Sequence, residues 1–169
     1  TYPFRCAAHV LGYIGEVSPA LLKKNPYYRS GDYIGVSGIE KAYEEHLRGR
    51  KGVSLFLVDV HGRIKGSYED GKLDTVAVKG RDLVSSLDRE LQQYGEKLMV
   101  NKAGSIVAIE PSTGEILSLV SSPSYDPVDM VGRNRTVNFP RLLNDPLLPL
   151  FNRAISAQYP PGSTVKMLH

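Results

Sequence analysis

The chain has 169 residues, with 21 Lys and Arg against 18 Asp and Glu and a net charge of +3. A hydrophobic share of 41% excludes a compositionally disordered chain, and a single cysteine excludes an internal disulfide and any cysteine-rich metal centre. No apolar run approaches the ~18 residues of a spanning helix, and so small a positive charge leaves no nucleic-acid footprint.

The opening Thr1-Tyr2-Pro3-Phe4-Arg5 does not read as a signal peptide, and a start at Thr leads us to expect sequence upstream. Residues 9–17 read as one or two short strands around Gly12 and Gly15. Ser18 is placed as a helix cap with Pro19 at the first helical position, and Asn25-Pro26 ends that helix. Residues 27–36 read as loop. Ser37-Gly38-Ile39-Glu40 has the form of a capping box, and Ile39, Ala42, Tyr43 and Leu47 continue at helical spacing up to Gly49. His46 reads as structural or solvated, and the basic cluster Arg48, Arg50 and Lys51 as a solvated surface. Residues 53–60 and 64–68 form an expected hairpin around His61-Gly62-Arg63. Composition changes near residues 79–82, where we place a domain boundary.

Beyond it, residues 83–87 read as extended. Asp88 caps an expected helix with Leu91, Tyr94 and Leu98 on its apolar face, Gly95 weakening it, and Arg89, Glu90, Gln92, Gln93 and Glu96 on a wet face. Residues 105–109 and 116–120, joined by the turn chemistry of 110–115, give the strongest hairpin signal in the chain. Gly104 lacks the surroundings of a phosphate loop. Residues 131–150 show little periodicity and read as irregular. Asp126 and Asp129 read as turn residues and His9 as core packing. Nothing beside Cys6 in sequence lowers its pKa.

Chemistry is concentrated at the end, in Tyr159-Pro160-Pro161-Gly162-Ser163-Thr164-Val165-Lys166. The prolines and glycine stop any preceding helix, so Ser163 opens a new one, with Lys166 three residues on and on the same face. A serine hydroxyl needs a base to become a nucleophile. A lysine serves only if burial or a nearby cation lowers its pKa. Helix-start amides suit stabilisation of an oxyanion. On these four residues alone, an ordinary cap and a surface lysine fit as well.

The longer pattern narrows the choice. Residues 159–166 resemble the active-site serine segment of the class B penicillin-binding proteins, the peptidoglycan transpeptidases, most of all those working in cell elongation. Pro149-Leu150-Phe151-Asn152-Arg153-Ala154 resembles the stretch before that serine. Residues 104–111 and 113–117 resemble the first hairpin of the transpeptidase domain, with 121–127 following. Residues 8–17, 35–44 and 47–52 resemble the membrane-proximal pedestal.

The resemblance implies an α+β fold. Residues 1–80 would be an incomplete pedestal (dimerisation-like) domain, and 81–169 the start of a transpeptidase domain of the serine β-lactamase-like fold. It implies Ser163 as the acylated nucleophile, Lys166 as its general base and the Ser163 amide as an oxyanion donor. The substrate would be a stem peptide ending in D-Ala-D-Ala, and β-lactams would acylate the same serine. No metal or organic cofactor is implied. The implied partners are a polytopic glycosyltransferase and other elongation-complex membrane proteins, at the extracytoplasmic face of the bacterial inner membrane. The family's later motifs, Ser-x-Asn and Lys-Thr/Ser-Gly, have no place before His169. We therefore expect the parent protein to be an enzyme, and these 169 residues alone to be a marginally stable, inactive piece. Two other readings stand beside this one. One is a non-catalytic pedestal that docks partners through an apolar patch on residues 9–80. The other is a β-lactam sensor or serine β-lactamase, which fast deacylation would reveal.

Overall fold

The computed structural model describes residues 5–160 and Ser163. A helical turn α1 (Ala8–Leu11) leads to β1 (Ile14–Glu16), α2 (Pro19–Lys24), β2 (Tyr33–Gly35) and α3 (Gly38–Ala42). Then come α4 (Glu44–Leu47), β3 (Phe56–Val58) and β4 (Ile64–Ser67). The remainder is α5 (Arg89–Leu98), β5 (Gly104–Ile109), β6 (Ile116–Ser122), α6 (Gly132–Leu143) and α7 (Arg153–Ser156). The strands pair as three antiparallel two-stranded sheets, β1–β2, β3–β4 and β5–β6. The α+β content is as expected.

The compact units do not follow chain order. Residues up to Ala42 pack with those from Ser85 onward, and Tyr43–Val84 forms a second unit. The cut near residue 80 is a division of the sequence; the packing divides the chain after Ala42 and again before Ser85.

Tyr125 shows why the first 42 residues join the later ones. Its hydroxyl donates to the Ala8 carbonyl (3.1 Å), and its ring meets the edges of His9 (5.3 Å) and Tyr13 (6.5 Å). Burial pushes the Tyr125 phenol up to about 12, so it stays a donor at neutral pH. The Ala7 amide donates to Glu96 Oε1 (2.7 Å), and Arg5 pairs with Asp126 (3.3 Å). The tight turn at Gly12 (φ 80°) is set by crowding, since a Cβ there would lie 2.0 Å from the Ser37 carbonyl oxygen.

The same unit holds the long hairpin. Asp88 caps α5 by accepting from the Leu91 amide (2.9 Å), as expected. The helix is rotated about its axis from the sequence reading, however. Leu91, Tyr94 and Leu98 are exposed, while Gln92 (1% exposed) and Gly95 are buried against β6. Gly95 is what lets the helix approach, because a Cβ would sit 2.9 Å from Val120 Cγ2. Gln92 caps the outer edge of β6. Its Oε1 accepts from the Leu119 amide (2.8 Å) and the Ser118 hydroxyl (3.0 Å), and its Nε2 donates to the Leu119 carbonyl (3.1 Å) and Glu96 Oε1 (2.9 Å). A side-chain amide thus replaces a rung of a neighbouring strand. Met130 and Val120, 0% and 1% exposed, lie in the core of this unit.

Three further expectations are corrected. Residues 9–17 begin as the turn α1 rather than as strand, and the expected loop 27–36 contains β2, in register with β1 through Gly15↔Ile34. Residues 131–150 carry a 12-residue helix, α6. It starts at Gly132 without a side-chain cap and contains Pro140, so it lacked a start signal, although Arg141 in its last turn, Asn144 just past it and Pro146 mark its end. Contacts from outside compensate: Asn138 donates to the Asp129 carbonyl (3.3 Å), and the Arg141 guanidinium lies 3.8 Å from the Asp129 carboxylate.

The helix expected from Ile39 to Leu47 breaks at Tyr43 (φ −114°, ψ 21°), the first residue of the second unit, which caps α4. The expected hairpin forms as β3–β4, with an irregularity between Leu57 and Val58. Asp59 organises its turn by accepting from the amides of His61 (2.9 Å) and Arg63 (3.0 Å) and from Arg63 Nε (2.8 Å). The Arg63 amide is the main reason its carboxyl is held below the usual range. All three β3 residues are exposed.

Candidate active site

Strand β6 anchors the segment that precedes Ser163 in the chain. At its end the Ser121 hydroxyl accepts from the Arg153 amide (2.9 Å) and donates to the Phe151 carbonyl (3.2 Å). That one buried hydroxyl fixes the start of α7 against the sheet. Asn152 caps α7 by accepting from the Ala154 amide (3.1 Å). The buried Arg153 side chain turns back on the preceding loop. Its guanidinium donates to the carbonyls of Leu147 (2.6 Å) and Leu148 (3.0 Å) and lies 5.7 Å from the Phe151 ring centroid. A planar fork can hold two carbonyls at once, which an ammonium cannot do with the same geometry. Residues 147–156 are thereby tied down just ahead of the Tyr159-Pro160 lead-in.

Ser163, beyond this lead-in, is exposed. Lys166 lies outside the described residues, as does the expected meeting of the hydroxyl and the amine. Asp126 acts as expected of a turn residue, accepting from the Val128 amide (2.9 Å). His9 is packed as expected: burial lowers its pKa to about 4, against the weaker opposing pull of the Pro149 backbone. It is neutral at physiological pH. Burial, aided by the Glu96 charge, pushes the Cys6 thiol up, which makes it a poor nucleophile. Among the described residues no three of His, Cys, Asp and Glu gather as metal ligands. No helix among them is long and apolar enough to cross a membrane.

Sequence reasoning passed over Ser121 and Arg153 as individuals, although it singled out the segment 149–154. Their role is visible only when β6 and α7 meet. Asn152, a favoured helix-cap residue just before Arg153, was the available signal.

The chain matches two family models: the penicillin-binding protein dimerisation domain over residues 1–85 and the penicillin-binding protein transpeptidase domain over residues 104–169. It is 40% identical over 161 residues to the peptidoglycan D,D-transpeptidase MrdA of Acinetobacter baumannii, covering 94% of this chain and 23% of that protein. It is 37% identical over 172 residues to the MrdA of Escherichia coli, covering 98% of this chain and 26% of that protein. The chain thus spans about a quarter of the length of these curated relatives. Among solved structures it resembles the PBP2 of Pseudomonas aeruginosa (TM-score 0.75, 36% identity, 98% of this chain and 33% of that one). It also resembles the PBP2 of Helicobacter pylori in its complex with MreC (TM-score 0.77, 35% identity, 96% of this chain and 30% of that one). Two domain models in order along one chain, and relatives alike in sequence and fold, lead to one conclusion: this chain belongs to the penicillin-binding proteins, with dimerisation-domain sequence in its first half and transpeptidase-domain sequence in its second.

Proposed function

We propose that the chain is part of a peptidoglycan D,D-transpeptidase, with residues 1–80 in the pedestal and 81–169 in the catalytic domain. Ser163 is the nucleophile and Lys166 its base. The observation that carries the reading is the Ser163-Thr164-Val165-Lys166 motif inside the matched transpeptidase segment, downstream of a loop that Ser121 and Arg153 hold rigid.

Ser163 Oγ attacks the carbonyl carbon between the two terminal D-alanines and passes its proton to Lys166 Nζ. The oxyanion is met by the Ser163 amide. Collapse breaks the peptide bond, and Lys166 returns the proton to the departing D-alanine amine. The amine of a second stem peptide then attacks the Ser163 ester, forms the cross-link and restores the hydroxyl. A β-lactam amide opens by the same attack, but its amine stays tethered and the ester persists. Mass spectrometry of the full-length protein after penicillin treatment tests this. An adduct on the Ser163 peptide, abolished in Ser163→Ala, is expected; an adduct that survives that substitution refutes it.

A second role favours the other unit. Phe56, Leu57 and Val58 are all about half exposed or more, and a lone two-stranded ribbon of this kind is marginal without a partner. The Helicobacter pylori PBP2 neighbour is solved with MreC. Partners here would be membrane proteins of the elongation machinery, a glycosyltransferase among them, at the extracytoplasmic face of the inner membrane. Loss of partner capture with Phe56→Asp, at unchanged penicillin labelling, tests this role separately.

A further inference from the structure

Between the β1–β2 ribbon and α6 lies a groove of about 250 Å³, lined by Glu16, Tyr33, Arg135, Thr136, Phe139 and Pro140. It is far from the nucleophile in sequence, and the transpeptidase reading makes no use of it. Arg135 is its centre. The guanidinium carbon lies 5.5 Å from the Tyr13 ring centroid and 5.3 Å from that of Phe139, so two aromatic faces set its plane. Its Nε is buried and has no acceptor among the described residues. Glycine at residue 15 leaves room for the head group in this position. A Cβ there would lie 3.0 Å from Arg135 Nη1 and 2.9 Å from Val36 Cγ2.

The terminal nitrogens of a guanidinium form a planar fork, and a carboxylate matches it with two parallel hydrogen bonds. Glu16, on the groove wall, makes no ion pair among the described residues. It adds a negative charge that disfavours a second carboxylate and favours an ammonium. Phe139 and Pro140 supply apolar surface beside the pair. The volume is below the ~300–1,000 Å³ of pockets for drug-sized ligands, which suits a single residue rather than a long peptide. We infer that this groove binds a zwitterionic amino-acid group, its carboxylate on Arg135, its ammonium toward Glu16 and an apolar side chain along Phe139 and Pro140.

Three probes of equal chain length separate the contributions: norleucine carries both charges, hexanoate only the carboxylate and hexylamine only the ammonium. Ligand-observed NMR titration of the wild-type protein is expected to give saturable norleucine binding, with either single-charge probe weaker by about tenfold, one charge-assisted contact's worth. Hexanoate binding as tightly as norleucine, or no saturable norleucine binding, overturns the inference without recourse to any variant. Arg135→Gln removes the fork, and Gly15→Ala displaces it while keeping the charge. Each is expected to weaken norleucine by about tenfold and to leave hexylamine unchanged. Undiminished norleucine affinity in Arg135→Gln also overturns it.

Discussion

Gln92 offers a sharp test of how the transpeptidase half is held together. Its side-chain amide makes four hydrogen bonds, and it is 1% exposed. Gln92→Ala leaves the part-buried Leu119 amide and the buried Ser118 hydroxyl without their acceptor. An orphaned buried donor costs about 1–3 kcal/mol, and the vacated volume adds to it. Partial relaxation of α5 offsets some of the loss, so we expect about 3 kcal/mol of destabilisation. Urea denaturation of the two proteins measures the total. Hydrogen exchange at the Leu119 amide localises it, with protection falling by about a hundredfold. Gln92→Glu separates hydrogen bonding from volume. It keeps an acceptor for Leu119 but turns the donor facing Glu96 and the Leu119 carbonyl into a second carboxylate oxygen. That variant should be destabilised at pH 7 and recover as the pH falls toward the carboxylate range. A Gln92→Ala cost below about 0.5 kcal/mol, the size of an ordinary surface change, would refute the edge-capping role.

The other predictions use the same logic. The half-buried His9 has a pKa of about 4 against 6.5 unfolded, so the unfolded chain takes up its proton first as the pH falls. Its contribution is complete above pH 6.5 and is lost down to about pH 4, at a cost of about 3 kcal/mol; His9→Phe should flatten this part of a urea-midpoint profile. Gly95→Ala should destabilise despite the better helix propensity, by about 1–2 kcal/mol, because the methyl meets Val120 Cγ2; a stabilised variant in thermal melts would contradict the close approach. Arg153→Lys keeps the charge but loses the fork on Leu147 and Leu148; we expect about tenfold slower penicillin acylation of Ser163 in the full-length protein, and an unchanged rate would uncouple the loop from the site.

What the sequence disclosed was local. Ser18 before Pro19, Asp88 before α5, and the turn residues between β5 and β6 each act within a few positions, and each is found where its chemistry puts it. What it concealed depended on distant partners. The apolar spacing of Leu91, Tyr94 and Leu98 is a true helical stripe, yet the face against the sheet is the one with the smallest residue and the amide that can mimic a strand. Periodicity identifies the helix but not which side it buries when a glycine allows closer contact than leucine does. Helix α6 was hidden for the opposite reason: it has no side-chain cap at its start, carries Pro140 inside, and rests on Asp129 and on the rings around Arg135. Ser163 was singled out through family resemblance, whereas the residues that anchor the segment before it, Ser121 and Arg153, were not.

These anchors bear on how the site is built. Leu119 takes its outer partner from Gln92, and Ser121, two residues on, takes its partners from α7 and the loop before it. Alternate residues of one strand therefore bind the helix that stabilises the domain and the segment leading to Ser163. If β6 loosens at Leu119, the hydroxyl at Ser121 loses its fixed direction, and the tie to Arg153 weakens with it. The strand can serve both ends because its inner edge is already paired with β5, Val107 opposite Leu119 and Ser105 opposite Ser121. Combining Gln92→Ala with Ser121→Ala should therefore cost less than the sum of the two single substitutions, since each removes order on which the other contact depends. Strict additivity in urea denaturation would mean that the domain's stability and the placement of the serine segment are independent.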